Sequence, residues 1–258
     1  MSADADHHTT AGTVQVDLLL AAAAAAPGPP GPPRWFPRPL DDGVELRSVV
    51  RSWAADGDRA GRTMRIAAGA ALRNVRISLA AQGRRAVCAY PQRDALLAAV
   101  RTGEPYTPSA LDLALARLVS TGSAPEVPVR DPAVTRALLR RAADADQVWV
   151  RVLPGPLPAA DPQAIGVPWA RNPVAMGTRP EMLVLIGAPE NDRIADLRVG
   201  QAMQQIRLLS AVVLGRHTTV VAGPVDPEWW RRTDPTAGRL PRATVLLSLS
   251  GGGPVPPG

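Results

Sequence analysis

The chain has 258 residues, 46% of them hydrophobic, and a formal net charge of +6. That is apolar material enough for a large folded core, which excludes a chain disordered throughout. No apolar run approaches the roughly 20 residues of a membrane span, and a single cysteine, Cys88, excludes an internal disulfide.

The positive charge is all arginine: 29 of them and no lysine. They occur singly or in pairs, as at Arg84-Arg85, Arg140-Arg141 and Arg231-Arg232, without the stripe or recognition motif of a nucleic-acid site. They read as solvated surface charge. The apolar stretch at 18–26 follows Asp4, Asp6 and Asp17 and no basic residue, so it does not read as a secretion signal. With one unpaired cysteine, the expected compartment is the cytoplasm.

Residues 1–12 are polar and expected to be disordered. Residues 14–26 read as a helix, with Val16, Leu19, Leu20 and Ala23 at helical spacing, and Pro27 must end it. Residues 44–50 alternate as a strand. A long helix is expected over 63–82, with a stripe of Ala68, Ala71, Leu72, Val75 and Leu79 and a C-terminal cap at Gly83. The apolar run 86–90 suits a strand and makes Cys88 a small buried hydrophobe. Residues 94–101 and 111–120 read as helices, the second opened by Ser109 and Asp112 in capping-box positions. Asp131-Pro132 starts another helix, to about 143.

Residues 147–153 alternate as a strand, followed by a Pro-rich excursion over 154–180 that holds Trp169. A buried strand at 182–188, the longest helix at 194–214 closed by Gly215, a strand at 218–222, a short helix at 227–233 and a final strand at 243–250 complete the pattern. Residues 251–258 read as a flexible tail. Strands and helices in mixed order predict an α+β fold, with 13–250 as a single domain.

The two long helices resemble each other. Residues 71–77 read ALRNVRI and residues 202–208 read AMQQIRL. Each helix ends in glycine and feeds a short apolar strand. This predicts two fused half-repeats, about 13–125 and 126–250, with the long helices paired at the centre.

The runs GAALRNVRISLAAQG (69–83), LRVGQAMQQIRLLSAVVLG (197–215) and VLLSLSGGGPVPP (245–257) resemble the nitroreductase family, and within it the actinobacterial Acg-like branch of fused pseudo-dimers. The resemblance implies FMN held between two halves and electron transfer from NAD(P)H to a small acceptor. For the Acg-like branch it also implies flavin storage or sequestration as an alternative to catalysis.

Several positions depart from the family pattern. The loop after the first helix, which helps to hold the flavin in the family, reads PGPPGPP over 27–33; only Arg34 and Trp35 keep the pattern. Prolines have no N–H, so in this loop only Gly28 and Gly31 can donate from the backbone. Of an Arg-rich segment before the helix at Asp131, only Arg130 remains. Ser248 stands where an arginine is expected, and residues 222–225 read AGPV instead of a loop with Asn and Gln. A phosphate dianion wants two or more charge-assisted donors.

The candidate cofactor-binding residues are therefore Arg34, Trp35, Arg130, Arg198 and Gln201, with Arg242 and Gln205 as further contributors. No catalytic residue is assigned and no metal cluster is expected: His217 is the one histidine outside the pair His7-His8, and it reads as a strand-end residue. Residues 224–232 (PVDPEWWRR) hold two tryptophans beside arginines and form a candidate partner or lid contact. The expected functions are an FMN-dependent NAD(P)H oxidoreductase with weakened or altered flavin use, a flavin-free binding or partner module, and a ligand-sequestering protein covered by the 154–180 excursion. A homodimer would be a way to restore missing donors.

Overall fold

The computed structural model describes residues 14–49, 59–91, 95–153, 165–169, 181–233 and 243–251. Its elements, in order, are α1 (Val16–Ala24), β1 (Trp35–Leu40), β2 (Gly43–Ser48), α2 (Arg59–Ala81), β3 (Arg84–Ala89), β4 (Leu96–Pro105), α3 (Ala110–Thr121) and α4 (Pro132–Ala145). Then come β5 (Trp149–Leu153), β6 (Gly166–Pro168), β7 (Met182–Gly187), α5 (Arg193–Leu214), β8 (Arg216–Val225), α6 (Pro227–Thr233) and β9 (Ala243–Gly251). The α+β class expected from the sequence is the class observed.

Helices α2 and α5 form the central pair, as their apolar faces require. The predicted stripe Ala68, Ala71, Leu72, Val75 and Leu79 is fully buried, and Val199, Ala202, Met203 and Ile206 are buried on α5. Where the two helices cross, Gly69 and Gly200 let the backbones touch. Both helices end at a left-handed glycine, Gly83 (φ 76°) and Gly215 (φ 62°), which turns the chain into β3 and β8.

Two antiparallel sheets flank this pair. One runs β1-β2-β4-β3 and the other β5-β7-β9-β8-β6. Strand β7 is buried at every residue, in register with β5 (Val150↔Ile186) and β9 (Val184↔Leu247).

Local signals explain the other helix ends. Ser109 and Asp112 form the reciprocal capping box, with Gly122 (φ 69°) closing α3. Asp131 caps α4 by accepting from the Ala133 amide at 2.6 Å. Asp192 does the same for Ala195 at the start of α5, at 2.7 Å.

Two expectations need correction. Residues 94–101 are not a helix: Leu96–Pro105 is strand β4, held between β2 and β3 with Val100 opposite Val44 on one side and Cys88 on the other. A Leu- and Ala-rich run has helical propensity, but pairing on both edges overrides it. Residues 35–40 (WFPRPL) form a strand that the sequence does not announce, since it contains Pro37 and Pro39. Strand β1 lies at the sheet edge, where proline is tolerated. The expected disorder at 1–12, the tail beyond 251, Arg242 and most of the 154–180 excursion lie outside the described residues. Within that excursion, β6 pairs with β8 and the indole Nε1 of Trp169 donates to the Gly223 carbonyl at 2.8 Å.

Candidate functional site

The loop PGPPGPP lines a cavity of about 780 Å³. Helix α1 ends above it because Pro27 cannot continue a helix. The loop then runs to Arg34, Trp35 and Phe36 at the start of β1, and the floor is the first half of α2 through Ala60, Thr63, Met64 and Ala67. Gly31 has φ +108°, a conformation that side chains rarely adopt, so a glycine is required at this turn. A β-carbon at Gly28 or Gly31 would meet nothing within 4 Å, so neither glycine serves a close backbone approach.

The polar groups around this cavity are few. Arg59 pairs with Asp226 at 3.0 Å, and the Thr63 hydroxyl donates to the Arg59 carbonyl at 2.7 Å. Asp226 also caps α6, accepting from the amides of Glu228 (2.8 Å) and Trp229 (3.1 Å). Burial raises the pKa of its carboxyl, but these amides and Arg59 outweigh burial and hold it below the usual carboxylate range. Arg34 is exposed at the cavity rim and has no ion pair among the described residues. Trp35 turns inward and is buried.

Behind the cavity floor lies a buried ionic cluster. Arg62 and Arg65 of α2 both meet Asp196 of α5, with Nε to carboxylate distances of 3.2 and 2.9 Å. Arg62 also donates to the Thr244 hydroxyl at 3.4 Å, while its Nη1 is buried without a partner. Two guanidinium groups share one carboxylate here.

The other predicted residues are dispersed. Gln201 is buried in the α2–α5 seam, accepting from Arg76 Nη1 at 2.7 Å and donating to the Tyr90 hydroxyl at 3.2 Å. Gln204, not Gln205, is its companion: its amide donates to Asn74 at 2.8 Å and accepts from Arg207 at 2.8 Å. Asn74 in turn donates to the Ala22 carbonyl at 3.0 Å. Arg198 lies beside Glu190 at 3.7 Å on the outer side of α5. Arg130 is exposed; its backbone accepts from Arg216 at 3.0 Å and donates to the Leu214 carbonyl at 3.1 Å. Of the predicted set, Arg34 and Trp35 line the cavity, and the sequence does not single out Thr63, Met64 or Arg59 beside them.

Three minor candidates also resolve. Trp229 and Trp230 are both buried, and Trp230 stacks on Trp149 with centroids 6.2 Å apart, so these tryptophans are core and not a partner contact. Cys88 is half-buried on β3, not fully buried; burial pushes its thiol up, against the pull of Arg76 and Arg73. His217 lies on β8 opposite Ser250, and burial, with the Arg207 charge, lowers its pKa. Among the described residues there is no cluster of metal-ligating side chains and no helix long and apolar enough to cross a membrane.

FMN would bring a phosphate dianion and a ring edge rich in acceptors. The described lining offers it one unpaired guanidinium, that of Arg34, and a loop of five prolines with two amides. The buried amides of Gln201, Gln204 and Asn74 are engaged with protein groups. This donor set does not fit FMN.

No family model and no curated protein matches the sequence. Among solved structures, the chain is similar to that of a putative nitroreductase from Anabaena variabilis ATCC 29413, with a TM-score of 0.51 and 10% identity, over 81% of this chain and 69% of the other. At that identity the likeness concerns architecture alone: the chain has a nitroreductase-like fold.

Proposed function

We propose that this protein is a flavin-free binding protein on a nitroreductase-like fold, taking a small, largely apolar ligand with one anionic group. The observation that carries the reading is the cavity under residues 27–33. Its walls are proline, alanine, methionine and aromatic carbon, and among the described residues its one unpaired cation is Arg34. Its volume of about 780 Å³ suits a small molecule. A guanidinium fork at the rim matches one carboxylate, and the apolar walls match an aromatic or aliphatic body. In the same reading the chain is a fused pseudo-dimer of the Acg-like kind, its central pair α2 and α5 each leaving through a left-handed glycine into a strand.

The competing reading, an FMN-dependent NAD(P)H oxidoreductase, is favoured by the fold and opposed by the donor set. Visible absorbance of the purified protein, followed by an FMN fluorescence-quenching titration, separates the two. The expected result is a colourless protein that leaves FMN emission unchanged, while calorimetry detects a simple aryl carboxylate such as 4-phenylbenzoate. A yellow protein, or stoichiometric quenching, would overturn the flavin-free reading.

A further inference from the structure

A second cavity, of about 520 Å³, lies between α4 and the β5–β7 edge of the five-stranded sheet. Among the described residues, four arginines line it, at 136, 140, 151 and 216, against one acid, Glu181. Arg216 is buried and committed: it pairs with Glu181, donates to the Thr135 hydroxyl at 3.3 Å and donates to the Arg130 carbonyl at 3.0 Å. The lone carboxylate of the lining is thereby matched. Arg136 and Arg140 remain as the guanidinium groups toward the cavity without an ion pair among the described residues.

Arg136 and Arg140 are four residues apart on α4, so they share a face and repel each other. Both are exposed, and neither has an ion pair among the described residues, although Asp144 lies a turn beyond Arg140. The floor beneath them is apolar, from Val150, Val152, Leu153 and Met182. At the surface this repulsion is mild, and a multiply charged anion relieves it, since two guanidinium forks can share the oxygens of one phosphate.

We infer that this groove is a binding site for a small phosphomonoester with an apolar body, separate from the cavity at Arg34. The phosphate sits between Arg136 and Arg140, and the body lies on Val150, Val152 and Met182. Arg216 and Glu181 hold the wall in place and do not exchange partners.

Calorimetry with phenyl phosphate tests this, using the whole chain, R136Q/R140Q and R34Q. Both exposed arginines can be neutralised without unfolding the protein, and an unchanged melting temperature verifies it. The expected result is a saturable site in the wild type that is weakened about tenfold or more in R136Q/R140Q and persists in R34Q, as loss of charge-assisted bonds requires. Phenol should not bind measurably, and inorganic phosphate should bind more weakly than phenyl phosphate. Absence of saturable binding at millimolar phenyl phosphate overturns the inference. So does an unchanged affinity in R136Q/R140Q, or a loss confined to R34Q, which would assign the ligand to the first cavity.

Discussion

Gly69 of α2 and Gly200 of α5 meet back to back at the centre of the molecule. A β-carbon built on Gly69 would lie 3.0 Å from the Gly200 Cα and against the Leu197 carbonyl; one built on Gly200 would lie 2.9 Å from the Gly69 Cα and against the Ile66 carbonyl. The obstacles are backbone atoms, which cannot swing aside. In an ordinary helix, replacing glycine with alanine gains about 0.4–1 kcal/mol. Here the sign reverses: G200A should destabilise by about 1–3 kcal/mol, as overpacking of a filled core does. Urea denaturation reads this directly, and an unchanged or raised midpoint would mean that the helices do not approach this closely.

That close crossing was half legible in the sequence. The stripe on α2, the glycine exits and the likeness of 71–77 to 202–208 point to paired long helices, because periodicity and caps are local signals. The contact between Gly69 and Gly200 is not local, and nothing in either helix alone marks those glycines as facing. The same division runs through the site. Arg34 and Trp35 follow visibly from the proline loop, whereas Thr63 and Met64 join them only through the packing of α1 and the four-stranded sheet on α2. Strand β4 was misread for a related reason: Leu96 to Val100 takes its conformation from β2 and β3.

Among the described residues, Arg62 and Arg65 share the carboxylate of Asp196, all three being almost wholly buried. Removing the charge takes from both guanidinium groups the carboxylate they share in a low-dielectric interior, so D196N should cost about 3–5 kcal/mol. Replacing Arg62 as well, by methionine, should recover part of that loss, since its Nη1 is already without a partner. Melting temperatures of the single and double variants measure the coupling; strict additivity would show that the cluster is not a unit.

Arg34 is exposed and makes no side-chain ion pair among the described residues, so its loss should leave the fold untouched. R34Q should nevertheless weaken binding of 4-phenylbenzoate by about 1.5–3 kcal/mol, the contribution of a charge-assisted hydrogen bond, or roughly tenfold or more. Binding of the neutral biphenyl analogue should be indifferent to the substitution. Equal loss for the acid and the neutral compound would assign Arg34 a packing role in place of charge recognition.

His217 predicts how stability responds to mild acid. Burial, reinforced by the Arg207 charge, depresses its folded pKa below the unfolded value of about 6.5. The unfolded chain therefore binds a proton that the folded protein resists, and stability rises with pH across the interval between the two values. Above about pH 7 the residue is neutral in both states and contributes nothing to the slope. As pH falls through 6.5 toward the depressed folded value, the protein should lose stability progressively, and below that value this loss should level off. Carboxylates such as Asp226, whose pKa is also lowered, add their own losses at more acidic pH. In H217N the decline between pH 7 and 5 should flatten while the more acidic decline persists. Denaturation midpoints at half-unit pH intervals provide the comparison, and parallel profiles for the two proteins would show that His217 is not the group responsible.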